Sequence, residues 1–164
     1  MSSTHKNLSA VEGSRVMNAS KYKFGIVCAE WNNEITKALC KGATDTLIKN
    51  GVKSENIIQK NVPGSFELIL GAQYVAEKTK VDAVICLGCI IQGETKHFDF
   101  ICKAVANGLS NLNIKYNKPF VFGVLTTNTQ QQAIDRSGGK HGNKGDEAAI
   151  TAIKMLVLRD SFGH

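Results

Sequence analysis

Prolines and aromatics are scarce in this chain: 2 prolines among 164 residues, with phenylalanine, tyrosine and tryptophan together making up 7%. That scarcity excludes a proline-rich linker protein and argues against an aromatic-lined sandwich. Long apolar runs are missing as well. The longest, Val81–Ile91, is too short to cross a bilayer and carries Asp82. Met1–Ser20 is mostly small and polar, with no apolar stretch of signal-peptide length. It reads as a mobile arm (residues 1–20) ahead of a single domain (residues 21–164). No membrane association is expected.

Blocks of like charge are also absent. The formal net charge is +6, but no run of five lysines and arginines occurs. The basic excess is uneven: in Met1–Lys23, Lys6, Arg15, Lys21 and Lys23 outnumber Glu12. Such a balance fits a surface for small anions better than a nucleic-acid surface, so no nucleic-acid partner is expected. The 5 cysteines are odd in number and accompany no export signal, which points to a reducing, cytoplasmic compartment. Cys86 and Cys89 form a C-x-x-C, but inside a run that reads as a buried strand. Residues three apart in a strand point to opposite faces and cannot grip one metal ion together. They read as core cysteines.

What is present is an alternation of strand and helix patterns. Phe24–Ala29 is a short apolar run suited to a strand covered on both faces. Ile35, Leu39, Ala43 and Leu47 then stand four apart, a helical stripe, and Asn50-Gly51 supplies its stop. Asn56–Val62 reads as the second strand. Pro63 reads as the opening of a helix that continues through Phe66, Ile69, Leu70 and Gln73. Val81–Ile91 is the third strand. Phe98, Ile101, Cys102, Val105, Leu109 and Leu112 mark the clearest amphipathic helix. Phe120–Leu125 is the fourth strand, Thr129–Arg136 a short helix, and Ser137–Gly145 a flexible glycine-rich loop. A last helix places Ala149, Ile153 and Leu156 on one side.

This order predicts an α/β fold: a three-layer α/β/α sandwich around a central four-stranded parallel sheet, flavodoxin-like in architecture. Such sheets bind ligands beyond the carboxyl ends of their strands. In Gly88–Phe100 the chain leaves a strand, turns at Gly93 and enters a helix. Thr95 is a good N-cap type, and the N–H groups of Glu94 and Thr95 suit an anion. His97 in the first turn suits proton transfer, although a histidine there is also a common structural choice. Ser65 and Glu67 offer acceptors for a polyol or a ring N–H, or else simply open a helix. Trp31, the lone tryptophan, suits stacking on a planar heterocycle or plain packing. Arg136 suits a bidentate phosphate clamp or a solvated surface. Taken alone, these residues define a phosphate-and-heterocycle site.

Together the segments resemble the 6,7-dimethyl-8-ribityllumazine synthase family of riboflavin biosynthesis. The motifs occur in order: Trp31-Asn32, PGSFE at Pro63–Glu67, GCIIQGETKHFDF at Gly88–Phe100, FGVLT at Phe122–Thr126, and QAIDRSGGKHGNKG at Gln132–Gly145. The resemblance implies a transferase that needs no metal and no organic cofactor. It implies that Trp31 stacks on a pyrimidine, while Asn32, Ser65, Phe66 and Glu67 line ring and ribityl contacts. Cys89, Ile90 and Ile91 would add strand-end contacts. Glu94 and Thr95 would cradle phosphate with the fork of Arg136, His97 would transfer protons, and Phe122 and Arg136 would come from a neighbouring subunit.

The resemblance further implies small-molecule substrates and a homopentamer with sites between subunits. The short Ser137–Gly145 turn favours an icosahedral shell of sixty subunits, and association with riboflavin synthase is a family expectation. Gln92, Lys96 and Gln131 depart from common family choices. A flavodoxin-like FMN electron carrier would share the layers, but it predicts a hydroxyl-rich loop after the first strand, where this chain has Glu30-Trp31-Asn32-Asn33.

Overall fold

A computed structural model describes residues 17–163, so most of the expected arm lies outside the described residues. Its last part does not stand off the domain: Ala19 is buried, and the Met17 and Ala19 N–H groups donate to the Asn50 side chain and carbonyl.

Strand β1 (Phe24–Ala29) is buried along its whole length, as its unbroken apolar run requires of a central parallel strand. Helix α1 (Asn33–Lys49) follows, and its predicted stripe of Ile35, Leu39, Ala43 and Leu47 is buried. Gly51 at φ 90 makes the turn out. Strand β2 (Ile57–Val62) alternates less cleanly and shows Gln59, Lys60 and Asn61 to solvent, as an edge strand should. Helix α2 (Leu68–Lys78), strand β3 (Ala83–Ile91), helix α3 (His97–Tyr116) and strand β4 (Phe120–Thr127) complete the core order. Short helix α4 (Gln130–Ile134) is capped by the Thr129 hydroxyl, which accepts from the Gln132 N–H. Helix α5 (Lys144–Ser161) closes the chain.

The sheet has the order β2-β1-β3-β4 and is parallel throughout. Two apolar cores flank it. Stripes from α1 and α5 (Leu39 and Leu47 against Ile153 and Leu156) fill one face. Stripes from α2 and α3 (Leu68 and Val75 against Val105 and Leu109) fill the other. This is the three-layer α/β/α sandwich that the alternation predicts. Burying each such side chain is worth about 1.5–3 kcal/mol. Cys89 belongs to the first core and Cys86 to the second, so the C-x-x-C does point to opposite faces. Among the described residues no cluster of three or more histidine, cysteine, aspartate or glutamate side chains converges to hold a metal ion. No helix among them is long and apolar enough to cross a membrane.

Two local expectations are corrected. Pro63 does not open α2: residues 63–67 form a bend, and the helix begins at Leu68. Its buried face is Leu68, Ala72 and Val75, while Phe66 and Leu70 are exposed. All-round apolar composition hid which stripe faces the sheet. Ser137–Gly145 is not a flexible loop either. Ser137–Gly139 (β5) and Gly142–Asn143 (β6) pair antiparallel, and Asn143 then caps α5 by accepting from the Gly145 N–H. A glycine-rich stretch carries no periodicity from which such a hairpin can be read.

Candidate active site

Strands β1 and β2 end level with each other, β3 runs on past them, and their loops enclose a cleft of about 640 Å³. From the β1–α1 loop come Trp31 and Asn32; from the bend before α2 come Gly64, Ser65, Phe66 and Glu67. The end of β3 contributes Cys89, Ile90 and Ile91, and the first turns of α3 contribute His97 and Ile101. Nine of the thirteen residues expected at a site thus share one cavity.

The walls are locked by backbone hydrogen bonds. The Glu30 N–H donates to the Val62 carbonyl at 2.8 Å, and the Trp31 N–H to the Pro63 carbonyl at 3.2 Å. Trp31 is 73% exposed and Phe66 51% exposed, so two aromatic faces stand free at the rim. Large apolar surface is rarely left open without purpose when it is rimmed by polar groups. Gly64 lies between Trp31 and the Glu67 carboxylate, since a Cβ there would meet Glu67 Oε2 at 3.0 Å and Trp31 Cδ1 at 3.4 Å. Ser65 is buried and its hydroxyl has no hydrogen-bond partner. An unpaired buried hydroxyl costs about 1–3 kcal/mol. Burial pushes the Cys89 thiol up to about 11. It therefore stays protonated near neutrality and acts as an apolar wall rather than a nucleophile.

Glu94 and Thr95 stand outside this wall, exposed in the turn between β3 and α3. The Thr95 hydroxyl accepts from the His97 N–H at 3.4 Å, but the N-cap of α3 is Lys96, not Thr95, and has no side-chain cap. Nothing lies within 4 Å of where a Gly93 Cβ would be, so this turn is open on its outer side.

Phe122 and Arg136 are not brought to the His97 cleft within one protomer. They line a second cleft of about 700 Å³ along the outer edge of β4, with Gln132, Lys144 and Glu147. Arg136 Nη1 donates to the Gln132 carbonyl at 3.0 Å, and Lys144 pairs with Glu147 at 2.6 Å. Phe122 is 43% exposed there. Sequence reasoning missed Gly64, Gly88 and Ile101 as shapers of the first cleft. Ile101 was legible in principle, because it lies one turn beyond His97 on the same helix face. A glycine's service to a neighbour's packing leaves no trace in spacing.

Fold and cleft define a parallel-sheet α/β protein with a strand-end cleft lined by Trp31, Phe66, Glu67 and His97. Residues 21–160 match the family described as 6,7-dimethyl-8-ribityllumazine synthase. The chain is 64% identical to the 6,7-dimethyl-8-ribityllumazine synthase of Cytophaga hutchinsonii, over 96% of this chain and 98% of that protein. It is 54% identical to those of Parabacteroides distasonis, over 95% of this chain and 98% of the relative, and Flavobacterium johnsoniae, over 100% and 87%. This chain belongs to the 6,7-dimethyl-8-ribityllumazine synthase family.

Proposed function

We propose that this chain condenses 5-amino-6-(D-ribitylamino)uracil with (2S)-2-hydroxy-3-oxobutyl phosphate, releasing phosphate and water, to form 6,7-dimethyl-8-ribityllumazine. It is a transferase of riboflavin biosynthesis. Family membership over nearly the whole chain carries this reading, and the cleft suits the reaction.

The pyrimidine stacks on Trp31, with Phe66 at the opposite rim. The Glu67 carboxylate accepts from the ring N–H or ribityl hydroxyls, and Ser65 supplies a further hydroxyl. Cys89, Ile90 and Ile91 form the apolar floor. The uracil's amino group attacks the ketone carbon, and the resulting carbinolamine loses water to an imine. Phosphate is then eliminated to give an enol that becomes a ketone, and the ribitylamino nitrogen attacks that carbonyl and closes the ring with loss of a second water. Each step moves protons near neutral pH, a task suited to the His97 imidazole. Much of the acceleration comes from holding two reactants in near-attack geometry.

Glu94 and Thr95 receive the phosphate together with Arg136. Because Arg136 and Phe122 line the β4-edge cleft, away from His97 of the same protomer, they serve the site of an adjacent copy. A homopentamer supplies that neighbour for every site, and the short β5–β6 turn favours packing of pentamers into the sixty-subunit shell. Association with riboflavin synthase and a cytoplasmic location follow from the same reading. Absorbance at the lumazine band, followed with both substrates and purified protein, tests the reaction. Product formation is expected, and its absence with folded protein sinks the assignment.

A further inference from the structure

The β1–β3 ladder ends where Cys28 faces Leu87, but β3 goes on pairing with β4 as far as Ile91. The edge of β3 that faces β1 is therefore left without a strand at Cys89, the next residue after Leu87 on that side. The Asn32 side chain occupies this gap: its Nδ2 donates to the Cys89 carbonyl at 2.9 Å. Asn32 is also one of two non-glycine described residues at positive φ, at φ 56 and ψ 47, a conformation that asparagine tolerates better than most residues. Its own carbonyl accepts from the Ile35 and Thr36 N–H groups and starts α1. The neighbouring Glu30 and Trp31 N–H groups are tied to the β2 end at Val62 and Pro63. The loop after β1 is thus tied to the end of β2 through the Glu30 and Trp31 N–H groups and to the end of β3 through the Asn32 amide.

We propose that Asn32 is a positioning residue for the reaction: its amide, docked on the Cys89 carbonyl, fastens the loop bearing Trp31 to the end of β3. The inference rests on the reading of this cleft as the substrate site. An asparagine that only touched substrate would leave Trp31 undisturbed in the free protein, whereas a latch does not.

The test uses the full-length protein with Asn32→Gly, which keeps the left-handed conformation but loses the amide. Asn32→Asp keeps size and shape but cannot donate to the carbonyl. Trp31 is the only tryptophan, so time-resolved fluorescence anisotropy without substrate reports its loop alone. Both variants are expected to enlarge the fast component of the anisotropy decay. Both are also expected to lower kcat/KM for the uracil substrate roughly five- to thirtyfold, the cost of one lost hydrogen bond to a buried carbonyl. An unchanged anisotropy overturns the proposal, whether KM rises or stays level. Wild-type protein that makes no lumazine overturns the reaction assignment instead, and the anisotropy still decides whether Asn32 fastens the loop.

Discussion

Gly88 and Ser65 occupy space that a single additional carbon would make incompatible. A Cβ on Gly88 of β3 would lie 2.6 Å from Ser65 Oγ and 3.0 Å from Leu68 Cδ1. The bend that carries Ser65, Phe66 and Glu67 is seated directly on the bare backbone of β3. Gly88→Ala is therefore expected to cost about 1–3 kcal/mol by overpacking and to push Ser65 and its neighbours outward. Urea unfolding measures the first effect, and the KM for the uracil substrate the second. Unchanged values for both would show that the bend yields freely.

His97 stands at the first position of α3 with its ring on the cleft. Replacing it with alanine removes a proton-transfer group but none of the walls. Turnover should fall roughly 10²–10⁴-fold, the ordinary range of general acid–base catalysis, while substrate binding followed by Trp31 fluorescence persists. Loss of binding in step with turnover would make His97 a wall residue instead.

Arg136→Ala should raise KM for the phosphate substrate about 10–150-fold, the worth of a hydrogen-bonded charge pair. If Arg136 serves an adjacent copy, co-assembly of His97→Ala and Arg136→Ala chains in equal amounts restores some sites. About one quarter of wild-type activity is expected, the share of sites drawing both native residues from a head-to-tail ring. Mixed particles that stay as inactive as the parents would place both residues in one chain's site.

Asp160 ties the end of α5 to the start of β1. Its carboxylate lies 2.6 Å from Lys21 Nζ, accepts from the Tyr22 hydroxyl at 2.7 Å, and accepts from Arg159 Nη2 at 3.0 Å. Lys21 first, then Tyr22 and Arg159, hold this carboxyl well below the usual carboxylate range. A folded-state value below the unfolded one of about 3.9 contributes stability above that pH, and the contribution is lost as the pH falls through the folded value. Asp160→Asn should therefore melt earlier at neutral pH, with the gap from wild type closing as both are acidified below about pH 4. Thermal melts across pH check this, and a gap constant with pH would remove the charge from the explanation.

The layered architecture was legible because its strands and helices carry strong local signals. The uninterrupted apolar run of β1 and the four-residue stripe from Ile35 to Leu47 each state how they will be covered. In α2 the same reasoning ran the helix from Pro63 through Phe66, Ile69, Leu70 and Gln73 without fixing its inner face, and the sheet took Leu68, Ala72 and Val75. Every position from Leu68 to Ala72 is apolar or glycine, so there only the packing partner could choose the stripe. The β5–β6 hairpin escaped for the opposite reason, since glycines and small polar residues favour no element strongly.

Motif order along the chain determined the family and pointed to the strand ends as the place of the cleft. It could do so because parallel sheets place successive βα loops at one edge whatever their detailed packing. Tertiary structure alone decided which of the expected site residues meet. It gathered Trp31, Ser65, Glu67 and His97 into one cleft, and it sent Phe122 and Arg136 to another at the β4 edge. The strand order β2-β1-β3-β4 is the physical reason. It makes β4 an outer strand, and residues on an outer edge face whatever lies beyond the protomer rather than its own centre.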